Sequence, residues 1–240
     1  DGIHITSVGG DNLIRTCLIG GNGGNGIVLA ASATGVTIED TAAGTNSDIS
    51  NPIPNAGSGI VIKDQAHNNV IGGYQPSVET RVHLSGNLGY GLMITGEAHN
   101  NSVFNTSIGS GFLVGKKIPN QSGGVFIGPE TFGNILGGTE PIQSNHIAFN
   151  NGTGITVDGS QDNSITGNII QLNSGNGITL NAAAQNKIGD AASGNRIITN
   201  SMFGLYAAGD CTGTTIVSNV FFANGDGDID LSQADGITFI

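Results

Sequence analysis

The chain contains no tryptophan, three tyrosines and nine phenylalanines in 240 residues. Sugar-binding clefts commonly present exposed aromatic rings for stacking, so few positions could serve that purpose. Basic residues are also scarce, since seven lysines and arginines stand against eighteen acids and the net charge is −11. This excess of negative charge disfavours binding to nucleic acid, to anionic membrane surfaces and, without a bridging cation, to acidic polymers.

Long apolar runs are missing as well. No segment approaches the length of a transmembrane helix, so we expect no membrane insertion. No secretory signal is recognisable, and we expect any targeting sequence to lie outside this segment or to have been removed. The 41 glycines would suit a disordered chain, but the apolar residues recur periodically, and this favours a folded one.

The sequence does contain a repeat. An asparagine stands four residues ahead of a Gly-aliphatic-x-aliphatic tetrad, and successive asparagines are 33, 32, 33, 30, 23, 27 and 24 residues apart. A further tetrad at residues 2–5 lacks its asparagine, so we expect residues 1–240 to be one domain and a segment of a longer array. The asparagines are Asn22, Asn55, Asn87, Asn120, Asn150, Asn173, Asn200 and Asn224.

Each repeat holds three short apolar runs separated by glycine and asparagine, which is typical of short strands and sharp corners. Such strands cannot bury a face alone, but stacked repeats can. We therefore predict an all-β, right-handed, single-stranded parallel β-helix of about nine coils, with the asparagines hydrogen-bonded in a ladder along the axis. The inward residues of the tetrads and the pairs Ile169-Ile170 and Phe221-Phe222 should form the core.

Longer repeats carry insertions at residues 40–58, 72–80, 115–122, 137–143 and 189–194. Those at 72–80, 137–143 and 189–194 follow the same Ile/Leu-Gly-Gly/Asp corner, so they should project from one edge of the solenoid. Insertions on one edge commonly mark the binding side of a repeat protein.

Residues 68–94 and 133–157 resemble the repeats of bacterial right-handed parallel β-helix proteins of the pectate-lyase-like superfamily, as found in large exoproteins. They share Asn-x-Ile-Gly-Gly, a short loop, Asn-x-Ile-x-x-Asn and Gly-Ile-x-Ile. The resemblance covers essentially the whole chain and implies the fold and an extracellular or cell-surface location. It leaves activity open, because the superfamily includes lyases, hydrolases, epimerases, adhesins and inert stalks.

The catalytic motifs of that superfamily are missing. Asn-Thr-Asp, Asp-Asp, Gly-His-Gly and Arg-Ile-Lys of the polygalacturonase-like hydrolases do not occur. The Tyr-Gly and Asp-Pro-His of alginate-epimerase-like modules are not matched, because Tyr90-Gly91 continues into Leu92. Only three arginines could act as the proton abstractor of a pectate-lyase-like site, so the sequence weighs against all three chemistries.

Acidic residues at the corner after the tetrads predict a stripe along the axis. Asp64, Glu97 and Glu130 would lie one rung apart, followed by Asp158, Asp162 and Asp210. Neighbouring carboxylates at that spacing suit a retaining glycosidase or a Ca²⁺ site, although a solvated turn with acids that aid solubility is the favoured explanation. His67 and His99 occur in register beside them and are candidates for acid–base chemistry or metal binding, or are simply duplicated surface residues.

Two further sets of candidate residues complete the sequence-based hypotheses. Asp226, Asp228 and Asp230 alternate like a calcium loop, but the EF-hand spacing fails at later positions. Tyr74, Tyr90 and the pair Lys116 and Lys117 are candidate ligand-binding residues on the surface.

The function favoured by these patterns is a structural or adhesive β-helix module that recognises a polysaccharide or cell-surface glycan along the insertion-bearing edge. The alternative is a polysaccharide-active lyase, epimerase or glycoside hydrolase that uses the carboxylate stripe. A segment of a capsid or phage tail fibre would share the fold. The sequence does not require a cofactor. Ca²⁺ is the cofactor that the acidic residues could bind.

Overall fold

In the computed structural model, which describes residues 1–8, 11–73, 81–111 and 115–240, the chain winds through three parallel β-sheets. The first sheet contains the glycine-led tetrads. Its strands are β1 (Ile3–Val8), β4 (Ile27–Ala33), β7 (Ile60–Ile62), β10 (Tyr90–Ile94), β13 (Gly123–Ile127), β16 (Ile155–Asp158), β19 (Ile178–Asn181), β22 (Phe203–Asp210) and β25 (Gly227–Asp235).

The other two sheets follow in the same order in every coil. The second sheet comprises β2 (Asn12–Arg15), β5 (Val36–Glu39), β8 (Val70–Ile71), β11 (Ser102–Val103), β14 (Ile135–Gly137), β17 (Ser164–Thr166), β20 (Lys187–Ile188), β23 (Thr215–Ile216) and β26 (Thr238–Phe239). The third sheet comprises β3 (Leu18–Ile19), β6 (Ala42–Ala43), β9 (Val82–Leu84), β12 (Thr106–Ile108), β15 (His146–Ala148), β18 (Ile169–Gln171), β21 (Arg196–Ile198) and β24 (Val220–Phe222).

Sheets of nine, nine and eight strands correspond to eight complete coils and two strands of a ninth. This confirms the predicted parallel β-helix. A 3-10 turn at Pro141–Gln143 interrupts one corner. Within the described ranges, no helix is long and apolar enough to cross a membrane.

The core is a narrow apolar column inside the three sheets. In the third coil, for example, Ile60 and Ile62 of the first sheet meet Ile71 and Leu84, and all four are fully buried. Burying each such side chain contributes roughly 1.5–3 kcal/mol relative to leaving it exposed. Stacking is therefore what stabilises strands of two to five residues.

The predicted apolar pairs divide between inside and outside. Ile170 is fully buried, whereas its neighbour Ile169 lies on the outer surface and is only half-buried. Phe221 packs against the core, but Phe222 is 67% exposed. Because successive side chains of a strand point to opposite faces, a pair of consecutive apolar residues places only one in the core.

The asparagine ladder that the repeat predicts is present. Each side-chain amide donates from Nδ2 to Oδ1 of the asparagine in the next coil, at 2.8–3.1 Å. Within it the amides of Asn87 and Asn120 are fully buried and also bond backbone carbonyls. The ladder runs through Asn22, Asn55, Asn87, Asn120, Asn150, Asn173, Asn200 and Asn224.

The other two corners have ladders of their own. One lies between the first and second sheets and joins Asn69, Asn101, Asn134, Asn163, Asn186 and Thr214. The other lies between the second and third sheets and joins Asn145, Asn168, Asn195 and Asn219. Hydrogen-bonded amides thus satisfy the buried backbone groups at all three corners.

The insertions lie on both sides of the third sheet. Residues 138–145 and 189–195 connect the second sheet to the third, as the shared corner motif predicts, and residues 72–73 begin a third such connection. The rest of the predicted insertion at 72–80, residues 74–80, lies outside the described residues. The 44–54 insertion and the 109–118 insertion, of which residues 109–111 and 115–118 are described, connect the third sheet to the first. One antiparallel bridge joins Thr45 to Pro52 in the former, and another joins Ser110 to Lys117 in the latter. The outer face of the third sheet is therefore flanked by loops along two edges.

Candidate functional site

The outer face of the third sheet, between these two lines of loops, is here called the third-sheet trough. One outward residue per coil forms its floor. The register of paired strands fixes this row as Leu18, Ala42, His83, Ser107, His146, Ile169, Arg196 and Val220.

At its amino-terminal end the trough is partly roofed by the 44–54 insertion. Ser47 and Ile49 of that insertion, with Thr16 and Ala42 below, enclose a cavity of about 440 Å³. Cavities of this size are in the range that takes small ligands. Its polar lining includes Asp40, Arg81 and His83.

Arg81 supplies the positive charge of this cavity. Its guanidinium is half-buried, and Nε donates a hydrogen bond to Oδ1 of Asn105 at 3.2 Å. Burial lowers the pKa of Arg81 because water no longer solvates the full charge. An arginine nevertheless stays protonated at physiological pH, so the cavity holds a cation whose fork of donors is fixed in direction.

His83 lies two residues along β9 from Arg81 and on the same outer face. Only 6% of its surface is exposed. Burial lowers its pKa to about 4, with a further lowering by the charge of Arg81 and an opposing effect of Asp40. The imidazole is therefore neutral at neutral pH, and a neutral imidazole can donate one hydrogen bond and accept another without adding charge.

His146 continues the floor two coils further on. Its pKa is also lowered, first by burial and then by the charge of Arg81. Nε2 lies 3.0 Å from Nε2 of Gln171, and Nδ1 lies 3.4 Å from Oγ of Ser110. Because the amide nitrogen of Gln171 donates, this arrangement favours the neutral tautomer with the proton on Nδ1.

Cations are distributed unevenly over the molecule. Arg15, Lys63 and Lys187 form ion pairs with Glu39, Asp64 and Asp190. The described part of the chain shows no ion pair for the other four cations, and all four lie on or beside the third sheet. They are Arg81 and Arg196 on its face and Lys116 and Lys117 in the 109–118 insertion.

Lys117 is held close to the solenoid. Its Nζ lies 5.4 Å from the ring centroid of Phe149, at the corner that follows β15. A cation over an aromatic face is attracted by the ring quadrupole. The predicted ligand-binding lysines thus lie at the edge of the trough.

The predicted acidic stripe is shorter than expected. Bridges join His67, His99 and Phe132 in register, so the residues two positions earlier, Gln65, Glu97 and Glu130, share one row. All three of these adopt left-handed backbone, with φ of 69°, 60° and 66°. The row therefore contains two carboxylates, both exposed, preceded by a glutamine whose Nε2 donates to Glu97 at 2.7 Å.

The other predicted members lie outside that row. Asp64 precedes Gln65 and is opposite Gly96, while Asp158 pairs with Asn181 in the first sheet. Asp162 follows Gln161, which is bridged to Phe132, so it lies three positions beyond the row. Backbone register places Gln65 in the row with Glu97 and Glu130, while Asp64, one residue earlier, lines the same shallow depression as those two carboxylates.

His67 and His99 do lie together. Their rings stack with centroids 4.9 Å apart and planes 2° apart, and Phe132 stacks on His99 at 4.7 Å. Each Nδ1 lies 2.9 Å from the backbone carbonyl two residues earlier, so each Nε2 faces outward. Parallel rings at this spacing do not converge on one ion, and the described residues contain no group of three or more histidine, cysteine or acidic side chains that could hold a metal.

Tyr90 does not contribute to the trough. Tyr90 packs on the ring of Phe126 at 5.3 Å, on the outer face of the first sheet. Its pKa is raised by burial and by the charge of Asp158. Tyr74 lies outside the described residues.

The three alternating aspartates are not assembled into a common site. Asp228 accepts a hydrogen bond from Asn224 at 3.1 Å, and Asp230 accepts one from the backbone of Ser232 at 2.9 Å. The hydrogen bonds of Ser232 lower the pKa of Asp230. Asp226 is exposed in the turn before β25, so the geometry gives the predicted metal site no support.

Comparisons with known proteins agree on the architecture. Residues 130–228 match a family described as periplasmic copper-binding protein (NosD). No curated protein matches the chain.

Solved structures of the periplasmic alginate epimerase AlgG are similar over much of the chain. A mutant of AlgG gives a TM-score of 0.67 at 17% identity over 90% of this chain and 48% of that one. The unmutated AlgG structure gives 0.62 at 18% identity over 90% and 47%. The chain thus spans about half the length of AlgG, and identities this low show the fold alone.

A module of another enzyme is more distant. The A-module of a mannuronan C-5 epimerase from Azotobacter vinelandii gives a TM-score of 0.32 at 11% identity over 99% and 86% of the two chains.

Proposed function

We propose that this protein is a periplasmic or cell-surface β-helix module that binds an acidic polysaccharide in the third-sheet trough. The observation that carries the proposal is the placement of Arg81, Arg196, Lys116 and Lys117 on or beside one face, while the other three cations form ion pairs with acidic residues. The proposed location is supported by the description of the matching family and of AlgG as periplasmic.

Arg81 is the centre of the proposed contact. A guanidinium binds a carboxylate or sulfate through parallel hydrogen bonds, which are stronger than neutral ones. The partial burial of Arg81 removes competing water and strengthens that attraction. Neutral His83 and His146 can hydrogen-bond sugar hydroxyls without repelling Arg81.

The overall charge of −11 is compatible with an acidic ligand because attraction depends on local charge within about 10 Å at moderate ionic strength. The acidic residues Asp64, Glu97 and Glu130 lie at the corner between the first and second sheets, away from the trough, whereas Asp40 lines its cavity together with Arg81. Binding should therefore weaken as salt is added.

The test is calorimetric titration with oligosaccharides of a uronic acid, and with a neutral oligosaccharide of the same length. We expect binding of the acidic ligand and a loss of roughly tenfold or more in Arg81→Gln, since a hydrogen bond to a charged group contributes about 1.5–3 kcal/mol. Arg81→Lys should retain part of the affinity. Lys63→Gln removes one positive charge at another face and is the matched control.

Equal affinity for the neutral and acidic ligands would contradict the proposal. Equal loss in Arg81→Gln and Lys63→Gln would also contradict it, because it would show a dependence on net charge instead of on the trough.

A polysaccharide-cleaving activity is the second candidate function. Glu97 and Glu130 lie one coil apart, next to a shallow depression that Asp64 and Gln65 also line. Two carboxylates one coil apart are spaced as the catalytic pair of a glycosidase requires. Product release that Glu97→Gln abolishes would favour hydrolysis, whereas unchanged turnover in Glu97→Gln and Glu130→Gln would remove both from the mechanism.

We do not extend copper binding to this chain. The segment that matches the NosD family contains one histidine, His146, and one cysteine, the buried Cys211. His146 is engaged by Gln171 and Ser110. A copper site needs several convergent nitrogen or sulfur ligands.

A further inference from the structure

Two opposite charges, Asp40 and Arg81, lie side by side at the amino-terminal end of the trough. The register of β6 and β9 places them one coil apart, about 4.8 Å along the axis. In the described part of the chain no ion pair joins them. Their side chains bond in opposite directions, because Asp40 accepts a hydrogen bond from Thr16 in the preceding coil at 2.9 Å and Arg81 donates to Asn105 in the following coil.

Both of these residues line the roofed cavity of about 440 Å³. Each keeps hydrogen-bonding capacity for a ligand, because a carboxylate accepts several bonds and a guanidinium has five N–H donors. Hydrogen bonds between charged partners are stronger than neutral ones. A ligand that satisfies this end of the cavity therefore carries a negative group for Arg81 and a positive group for Asp40.

Apolar side chains form a second part of the lining. Leu18 and Ala42 contribute from the floor, and Ile49 contributes from the roof. Asn46 holds this roof in place, since its Oδ1 accepts bonds from two backbone amides of the same insertion at 2.8 and 2.9 Å. The cavity thus suits a compact molecule that has both charges at one end and an apolar group at the other.

We infer that the cavity binds a free α-amino acid with an apolar side chain, whose carboxylate pairs with Arg81 and whose ammonium group pairs with Asp40. The two charged groups of an α-amino acid are attached to one carbon, so both fit between side chains that are one coil apart. The apolar side chain packs against Leu18 and Ile49, where it is removed from water. This ligand goes beyond the proposed function, because an acidic polysaccharide uses Arg81 but brings no positive group to Asp40.

Calorimetric titration with leucine and two analogues separates the two charge contacts. Isocaproate is leucine without the ammonium group, and isoamylamine is leucine without the carboxylate. We expect leucine to bind at least about tenfold more tightly than either analogue, since each analogue leaves one charged hydrogen bond unmade. Equal affinity for leucine and isocaproate would overturn the inference.

Asp40→Asn removes the acidic charge with little other change. Asparagine tolerates the left-handed backbone that Asp40 adopts, with φ of 46°, and its side-chain oxygen can still accept the bond from Thr16. This variant should bind leucine as weakly as isocaproate, and it should bind isocaproate at least as tightly as the wild type does, which shows that the cavity is intact. Asp226→Asn is the matched control, because it removes one exposed acidic charge before β25 and should leave leucine binding unchanged.

Leucine binding that is the same in Asp40→Asn and the wild type would contradict the inference, as would an equal loss in Asp226→Asn. Arg81→Gln should weaken both leucine and acidic oligosaccharides, whereas Asp40→Asn should weaken leucine only. A wild type that binds acidic oligosaccharides but not leucine would overturn this inference and leave the proposed function standing. A wild type that binds leucine but no acidic oligosaccharide would overturn the proposed function and support this inference.

Discussion

The side-chain amide of Asn87 donates from Nδ2 to Oδ1 of Asn120, one coil further along the solenoid, at 3.0 Å. The backbone amide of Asn87 donates to the same oxygen, also at 3.0 Å. Asn120 in turn donates to the carbonyl of Leu84 and to Asn150. The side-chain amide of Asn120 therefore bonds groups of the coils on both sides of its own.

Replacing Asn120 by alanine should lower the free energy of unfolding by about 3 kcal/mol, because several buried polar groups would lose their partners. Urea denaturation followed by circular dichroism measures this. Asn151→Ala is the control, since the exposed Asn151 bonds through its side chain to the equally exposed Gln121. A similar midpoint for both variants would show that the ladder does not stabilise the fold.

This ladder could be predicted from the sequence because its asparagines keep a constant offset from the tetrads. The ladder of Asn145, Asn168, Asn195 and Asn219 is harder to recognise, since it begins only in the fifth coil. In the preceding coil the backbone amide of Thr106 donates to Asn145. A signal that covers half of the repeats is easily taken for local sequence bias.

The trough could not be predicted in the same way. Arg81 and His83 are more than sixty residues from His146, and no motif connects them. Their proximity depends on strand register in the third sheet and on insertions whose lengths vary from coil to coil. Register also determines the composition of the acidic row, because a difference of one residue places Asp64 opposite Gly96 instead of opposite Glu97.

Two glycines with similar backbone angles provide a test of corner packing. Gly109 has φ of 89° and an added Cβ would overlap the carbonyl oxygen of Ala148, whereas Gly115 has φ of 82° and open space around it. Gly109→Ala should therefore destabilise by more than the roughly 1 kcal/mol expected of left-handed strain alone in Gly115→Ala. Thermal unfolding of the two variants measures the difference. Equal losses would mean that the corner adjusts without cost.

The buried imidazole of His83 predicts a specific pH dependence of stability. Its pKa is about 4 in the folded chain, against 6.5 for an unperturbed histidine. Between these values the unfolded chain binds a proton that the folded chain does not, so the stabilisation is complete above pH 6.5 and is lost as pH falls toward 4. The loss from this group should reach about 3 kcal/mol.

His83→Gln isolates this contribution, because the carboxylates titrate alike in both proteins. As the pH falls from 6.5 to 4, the free energy of unfolding of the wild type should fall relative to that of His83→Gln. If the difference between the unfolding free energies of the wild type and His83→Gln did not change with pH, the imidazole of His83 would be solvated. The description of the cavity as one that buries His83 would then be wrong.

The neighbours Ile169 and Ile170 lie on opposite faces of the third sheet and therefore provide a test of its strand register. Ile170 is fully buried in the core, and Ile169 lies on the trough floor between His146 and Arg196. Ile170→Ala should lower the free energy of unfolding by about 2–5 kcal/mol because it leaves a cavity in the core. Ile169→Ala should cost much less, since its side chain is only half-buried. If Ile169→Ala were instead the more destabilising variant in urea denaturation, the register of β18 would differ by one residue from the one described. Arg196 would then point into the core instead of toward a ligand.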